Sequence, residues 1–259
     1  MSSESIFVHD GDRFTATELA VGPWDPGALH GGAPAALLVH AVLAENLNPA
    51  FALARMTCEF VRPVPTSALQ ARVEIIRPGR RVTLLDAFLT DGEGTEVVRA
   101  RALLLTPSEL GDPDPGPPPP FAGPQAATES DWAVGPPMFA THGMDIRFVE
   151  GEFRKPGPAT AWFRLRHPLI AGHEIHPMER LTAAGDFGNG IASVLSWEDH
   201  VFINPDLTLQ IERAPVGEWV ALQSEMRVGV GAIAVAESVL WDERGRIGRA
   251  SQALLVSRR

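Results

Sequence analysis

The sequence predicts an α+β architecture of two tandem units, each a curled antiparallel β-sheet wrapped around one central helix. Three observations predict it. The stretch "HGGAPAALLVHAVLAENL" (His30–Leu47) reads as a helix apolar nearly all round. Such a helix has to be buried, and the simplest cover is a sheet curled about it. Four runs of strand character follow, and the same order of loop, helix and four runs then recurs further along the chain.

In the first unit the strand runs fall at 52–62, 69–77, 81–90 and 96–105. The last two flank "TDGEG", a glycine turn typical of a hairpin. In the second unit the helix reads through "MERLTAAGDFGNGIASVLSW" (Met178–Trp197), and the runs fall at 202–213, 219–227, 232–241 and 247–257. Earlier strands are expected at 14–20, 145–150 and 160–167. An offset of 151 carries Thr57 onto Thr208, Arg62 onto Arg213, Glu74 onto Glu225, Leu89 onto Leu240, Asp91 onto Asp242 and Gly94 onto Gly245. It also lays "ALL" at Ala102–Leu104 on "ALL" at Ala253–Leu255. The chain reads as an internal duplication. Small residues, Gly31, Gly32, Ala33, Ala35 and Ala36 in one helix and Gly185, Gly188 and Gly190 in the other, permit close approach of helix to sheet. One helix inside a curled antiparallel sheet is the hotdog architecture; two in tandem make a double hotdog.

The units meet at "TPSELGDPDPGPPPPFAGPQ", whose prolines stiffen it into an extended path that neither sheet nor helix absorbs. The expected division is an N-terminal repeat over 1–106, a proline-rich linker over 107–125 and a C-terminal repeat over 126–259.

Composition excludes several function classes. A net charge of −10 over 259 residues, with no lysine- or arginine-rich run, gives no footing for nucleic acid. One cysteine, Cys58, permits no intrachain disulfide and suits a reducing compartment, so a cytoplasmic location is expected. The first residues have neither the basic start nor the apolar core of a signal peptide. The longest apolar stretch, Ala33–Ala44, is far short of a membrane span. The histidines of "HEIH" (His173–His176) lack a third ligand in register, so no metal is expected. Cys58 lies in an expected strand, and neither a G-x-S-x-G elbow nor a phosphate loop occurs.

Five stretches carry a family resemblance: "LHGGAPAALLVHAV", "WFRLRHPL", "PMERLTAAGDFGNGIAS", "INPDLTLQIERAPVGEWVAL" and "DERGRIGRASQALLV". In their order and spacing the chain resembles the acyl-CoA thioesterase II family, in its branch with two fused hotdog repeats, over essentially its whole length. The resemblance implies hydrolysis of an acyl-CoA thioester to a free acid and coenzyme A without metal or cofactor. It further implies an aspartate, a serine or threonine and a glutamine orienting a water, with a backbone amide at a helix start polarising the carbonyl.

Carried onto this sequence, the aspartate falls at Asp186, expected in the N-terminal part of the second helix, where an acid also suits the macrodipole. The hydroxyl position falls at Asn204, two residues before Asp206; Thr208, two residues after it, carries a hydroxyl. Alternation puts all three on one strand face, where any of them could hold a water; either Asn204 or Thr208 fills the second role, and Asp206 is a candidate substrate contact. The glutamine falls at Gln252, two residues before the family's usual position at Leu254. The amides of Gly31 and Gly32 are candidate oxyanion donors, although a glycine pair also serves tight packing. His30 orients substrate or caps the helix.

Two other functions fit parts of the pattern. "DPGALH" spaces Asp25 and His30 five apart, an echo of hotdog enoyl-CoA hydratases with glycine at the asparagine position and the proline displaced. A binding protein for acyl-CoA or lipid that does not cleave its ligand is the other. For the phosphates of coenzyme A the basic hairpin "RPGRR", with Arg80 and Arg81, is the obvious candidate, with Arg99 and Arg101 as alternates. Open hotdog edges favour pairing between copies, so a homodimer of double hotdogs is expected.

Overall fold

A computed structural model describes residues 4–45, 47–108, 116–130 and 135–259; within the proline-rich segment, residues 109–115 lie outside the described ones. The first repeat comprises β1 (Phe7–Asp10), β2 (Arg13–Ala16), α1 (Gly32–Ala44), β3 (Ala52–Phe60), β4 (Ala68–Arg77), β5 (Val82–Thr90) and β6 (Glu96–Leu105). The second comprises β7 (Thr128–Glu129), β8 (Met144–Glu150), β9 (Ala159–Leu165), α2 (Pro177–Gly185), α3 (Gly188–Ile191), β10 (His200–Ile203), β11 (Asp206–Ile211), β12 (Val220–Val228), β13 (Ile233–Asp242) and β14 (Gly245–Arg258). Among the described residues all the strands join one antiparallel sheet, in the order β1-β2-β4-β5-β6-β3-β11-β14-β13-β12-β9-β8-β7, with β10 on β14. The sheet curls about α1 in one half and α2 in the other: a double hotdog.

Each repeat buries its helix for the reason its sequence gives. Residues 32–39 of α1 are all buried, and α1 packs on β4, β5 and β6. Polar groups have no place on that surface, and the one polar side chain of α1, His40, pairs with Glu179 of α2 at 2.8 Å. The two helices also pack on each other. A β-carbon on Gly32 would lie 2.5 Å from the Ala183 carbonyl oxygen, so Gly32 serves helix–helix rather than helix–sheet contact, whereas Gly31, before the helix, meets Asp186 and Phe60 of β3. In the second repeat the expected helix–sheet contact holds for two of the three glycines: Gly185 meets Leu209 and Gly188 meets Ser238 and Gln252, while Gly190 meets Trp197 and Phe153 in loops.

The duplication is visible in the sheet. β3 and β11 join the repeats, and Thr208 pairs with Thr57, its own counterpart at an offset of 151, with their hydroxyls 3.4 Å apart. An antiparallel pair in which a residue faces its own repeat-mate lies on a local two-fold axis. The β-bulge after Leu89 in β5 recurs after Leu240 in β13. The last strand departs from the offset. Leu85 faces Ala102 in β5–β6, whereas its counterpart Ala236 faces Gln252 in β13–β14. Ala102 therefore corresponds to Gln252, and the matched "ALL" triplets are not equivalent. The turn between Trp241 and Arg246 is one residue shorter than that between Thr90 and Glu96, which removes the residue.

Three other expectations change. The helix expected over Met178–Trp197 stops at Gly185, with Asp186 as its C-cap, and resumes for one turn as α3. Glycines at 185, 188 and 190 weaken a helix through backbone entropy. The strand expected over 202–213 breaks at Asn204-Pro205, because proline supplies no N–H to the ladder. Asp206 bridges the break: its Oδ1 accepts from the Ala253 amide at 2.7 Å. The strand expected over 14–20 ends at Ala16, where Thr17 caps a 3₁₀ turn, Glu18–Ala20.

Candidate active site

The joint after α2 and the break before β11 meet. Asp186, only 3% exposed, receives Asn204 Nδ2 on Oδ1 at 2.8 Å and Gln252 Nε2 on the same oxygen at 3.1 Å. The amide orientations follow from a fourth residue. The Asn189 backbone N–H donates to Gln252 Oε1 at 3.0 Å, which turns the Gln252 NH₂ toward Asp186, where it also reaches the Asp186 carbonyl. The Asn189 side chain donates to Asn204 Oδ1 at 3.4 Å, and Asn204 sends its second N–H to the Asp206 carbonyl at 3.0 Å. Both amide groups are thus fully engaged within the protein.

The other carboxylate oxygen faces the N-terminal repeat. Asp186 Oδ2 lies 3.1 Å from His30 Nδ1, and a β-carbon on Gly31 would come within 2.8 Å of it. The Gly32 amide also lies 3.1 Å from His30 Nδ1. One nitrogen cannot serve both contacts: it accepts from Gly32 in one tautomer and donates to Asp186 in the other. Phe187 stacks on the ring at 4.4 Å between centroids.

Asp186, Asn189, Asn204, His30 and Gly31 line a cavity of about 460 Å³, whose remaining walls are mainly apolar, among them Trp24, Leu29, Phe60 and Ile203. Trp24 stacks on Trp197 with centroids 4.8 Å apart, and Phe202 meets both edge-on.

The structure therefore brings together Asp186, Asn204, Gln252, His30 and Gly31. Asp186 does not open a helix as expected; it closes one, because the glycines end α2 there. Gly32 is buried and its amide points at His30 Nδ1, while the Gly31 amide has no acceptor among the described residues. Thr208 shares no face with Asn204, because the Pro205 break separates them. It faces Thr57 and a second surface cavity with Gln210 and Ser224. Asp206 latches β14 rather than lining the chamber, and burial raises its carboxyl above the ordinary range despite the Ala253 hydrogen bond. Arg80 and Arg81 lie exposed beyond β4, away from the chamber. Arg99 and Arg101 pair with Glu96 and Asp86. Asp25 lines the chamber but accepts from the Gly27 amide and makes no hydrogen bond to His30. Burial drives the Cys58 thiol strongly upward, with Asp186 and Asp206 adding to the effect, so it stays protonated. His176 of "HEIH" caps α2. Among the described residues no group of three or more His, Cys, Asp or Glu is placed to hold a metal. Asn189 escaped sequence reasoning; a lone asparagine amid glycines in "DFGNG" was its only signal.

The glycine pair separates stability from site geometry. Gly32→Ala overpacks the helix crossing, at about 2 kcal/mol, and lowers the melting temperature by roughly 6 °C. Gly31→Ala presses on Asp186 Oδ2 and Phe60 instead, and its larger effect falls on turnover. Equal melting temperatures for wild type and Gly32→Ala would show that α1 and α2 do not approach this closely.

Residues 20–105 match the family model for the acyl-CoA thioesterase N-terminal domain, and residues 113–256 match that for the C-terminal domain. The chain belongs to the acyl-CoA thioesterase family of thioester hydrolases. No curated protein matches it in sequence. Among solved structures it is similar to a Thermobifida fusca YX protein provisionally assigned as a thioesterase II, with TM-score 0.76 and 19% identity over 99% of this chain and 96% of that one. It is also similar to acyl-CoA thioesterase II TesB2 of Mycobacterium marinum, with TM-score 0.64 and 16% identity over 99% and 95%. A hot dog fold protein of Alicyclobacillus acidocaldarius gives TM-score 0.74 and 14% identity over 98% and 95%. At these identities the likeness shows the fold. No helix among the described residues is long and apolar enough to cross a membrane.

Proposed function

We propose that the chain hydrolyses acyl-CoA with Asp186 as the general base. The observation that carries the proposal is the asymmetry of the Asp186 carboxylate: two amides hold Oδ1, while Oδ2 stands beside His30 and Gly31, which line the chamber with Asp186. Oδ2 takes a proton from water as the water oxygen attacks the thioester carbonyl. The Gly31 N–H donates to the developing oxyanion, since a helix start leaves such a donor unpaired and glycine lets the substrate approach. The tetrahedral intermediate collapses, the C–S bond breaks, and the sulfur leaves as the thiol of coenzyme A with the proton that Asp186 had taken from water, which restores the carboxylate.

Asn204 and Gln252 are positioning residues on this reading. With every N–H engaged they act through Asp186, whose Oδ1 they fix, and not on water. Asn204 supplies a donor where the family's hydroxyl would stand. The apolar walls of the chamber suit an acyl-pantetheine arm.

The test is thiol release from acyl-CoAs of graded chain length. Turnover with stoichiometric free acid is the expected result. Saturable acyl-CoA binding with no thiol released from any member would replace hydrolysis with binding alone. Hydration of an enoyl-CoA with the thioester intact would replace it with the hydratase chemistry of Asp25 and His30.

A further inference from the structure

We infer that Arg62, together with Arg259, recognises the phosphates of the coenzyme A moiety at the chamber; this rests on the acyl-CoA reading above. Apart from His30, these two are the only basic side chains among the described residues that line the cavity. A protein of net charge −10 repels a polyanion, so local cations have to offset that repulsion where the nucleotide end docks. Two carboxylates also line the cavity, Asp25 and Asp186. Neither pairs with Arg62 or Arg259: Asp25 accepts from the Gly27 amide, and Asp186 Oδ1 accepts from Asn204 and Gln252.

The duplication provides the control. Arg213, the counterpart of Arg62, makes two hydrogen bonds to Asp242, at 2.5 and 2.7 Å, inside the fold. Asp242 also accepts from the backbone amides of Val216, Arg244 and Gly245. In the first repeat the same pair is dissolved. Asp91, the counterpart of Asp242, turns inward on its own loop and accepts from the Glu93 and Thr95 amides. The residue corresponding to Val216 is Pro65, which has no N–H to donate. The segment after Arg62 is drawn to the chamber loop instead, with the Leu29 amide donating to the Val64 carbonyl at 2.8 Å and the Thr66 amide to the Gly27 carbonyl at 3.2 Å. Arg62 is consequently exposed, lines the chamber and has no side-chain partner among the described residues. Arg259 adds a second guanidinium, 5.8 Å from the Trp24 ring centroid. Exposed arginine forks without carboxylate partners match phosphate geometry.

The experiment compares Arg62→Ala with wild type on an acyl-CoA and on the same acyl group carried by N-acetylcysteamine, which has no phosphate. The expected result is a KM for acyl-CoA raised about tenfold, the scale of a charged hydrogen bond, with kcat within about twofold and the truncated thioester unaffected. Arg62→Lys recovers part of the loss because it restores the charge without the fork. Calorimetric titration with coenzyme A separates the two claims. If wild type hydrolyses nothing yet binds coenzyme A more tightly than Arg62→Ala does, hydrolysis fails and the phosphate site stands. Equal affinities, or equal losses on both thioesters, would overturn the site.

Discussion

Asp186→Asn is expected to lower kcat about 1,000-fold, the scale of a lost general base, while leaving the fold and acyl-CoA binding in place. The substitution is nearly isosteric, and its geometry discriminates between roles. An asparagine at 186 keeps a carbonyl oxygen for Asn204 Nδ2 and Gln252 Nε2, so the positioning network survives. Its NH₂ then stands where Oδ2 stood, beside Gly31 and His30, and offers water a donor where it needs an acceptor. A purely structural role for the carboxylate predicts lost stability instead, because Asp186 is buried. Thiol-release kinetics set beside thermal unfolding distinguish these outcomes. A variant that keeps a third or more of the wild-type kcat would move the base elsewhere. Gln252→Ala is the graded companion. It removes one of two donors to Oδ1 and frees the Asn189 amide, so a loss of about tenfold is expected, the scale of one hydrogen bond to a charged group.

The architecture was legible because its signals are long and redundant. A helix apolar on every side can be buried in few ways, and the 151-residue offset doubled each strand signal. What was misread depends on single residues. Pro205 removes one N–H and so separates Asn204 from the face that carries Thr208; alternation alone made them neighbours. Three glycines in six residues stop α2 at Asp186, where the apolar pattern ran on unbroken to Trp197. One residue missing from a turn shifts β14 and makes Gln252, not Ala253, the counterpart of Ala102. Asn204 and Gln252 both contact Asp186, yet His30 reaches it from the other repeat, and no spacing within one chain segment encodes a contact across a local two-fold. The basic hairpin at Arg80 and Arg81 attracted notice as a cluster. Arg62 did not, because its distinction is a partner it lacks.

That missing partner gives the last expectation, a stability effect confined to one copy of a duplicated pair. Burial raises the Asp242 carboxyl, but the Arg213 guanidinium and the Val216 and Arg244 amides outweigh it and hold the group below the ordinary range. Asp242 is fully buried. Asp242→Asn leaves the Arg213 charge without its counter-ion and turns an NH₂ group toward donors, at a cost of about 3 kcal/mol at pH 7. The pH dependence follows from the sign of the shift. A depressed carboxyl stabilises the fold above its unfolded value, near 3.9, and that contribution disappears as pH falls through the folded value. The gap between wild type and Asp242→Asn in denaturant titrations is therefore full at neutral pH and narrows below about pH 4. A gap under about 1 kcal/mol at pH 7, typical of exposed pairs, would mean that the pair adds little. Asp91→Asn, at the equivalent position with no arginine on it, is expected to cost under about 1 kcal/mol, the scale of its turn hydrogen bonds. One repeat keeps the arginine for its own stability, and the other releases it to the chamber.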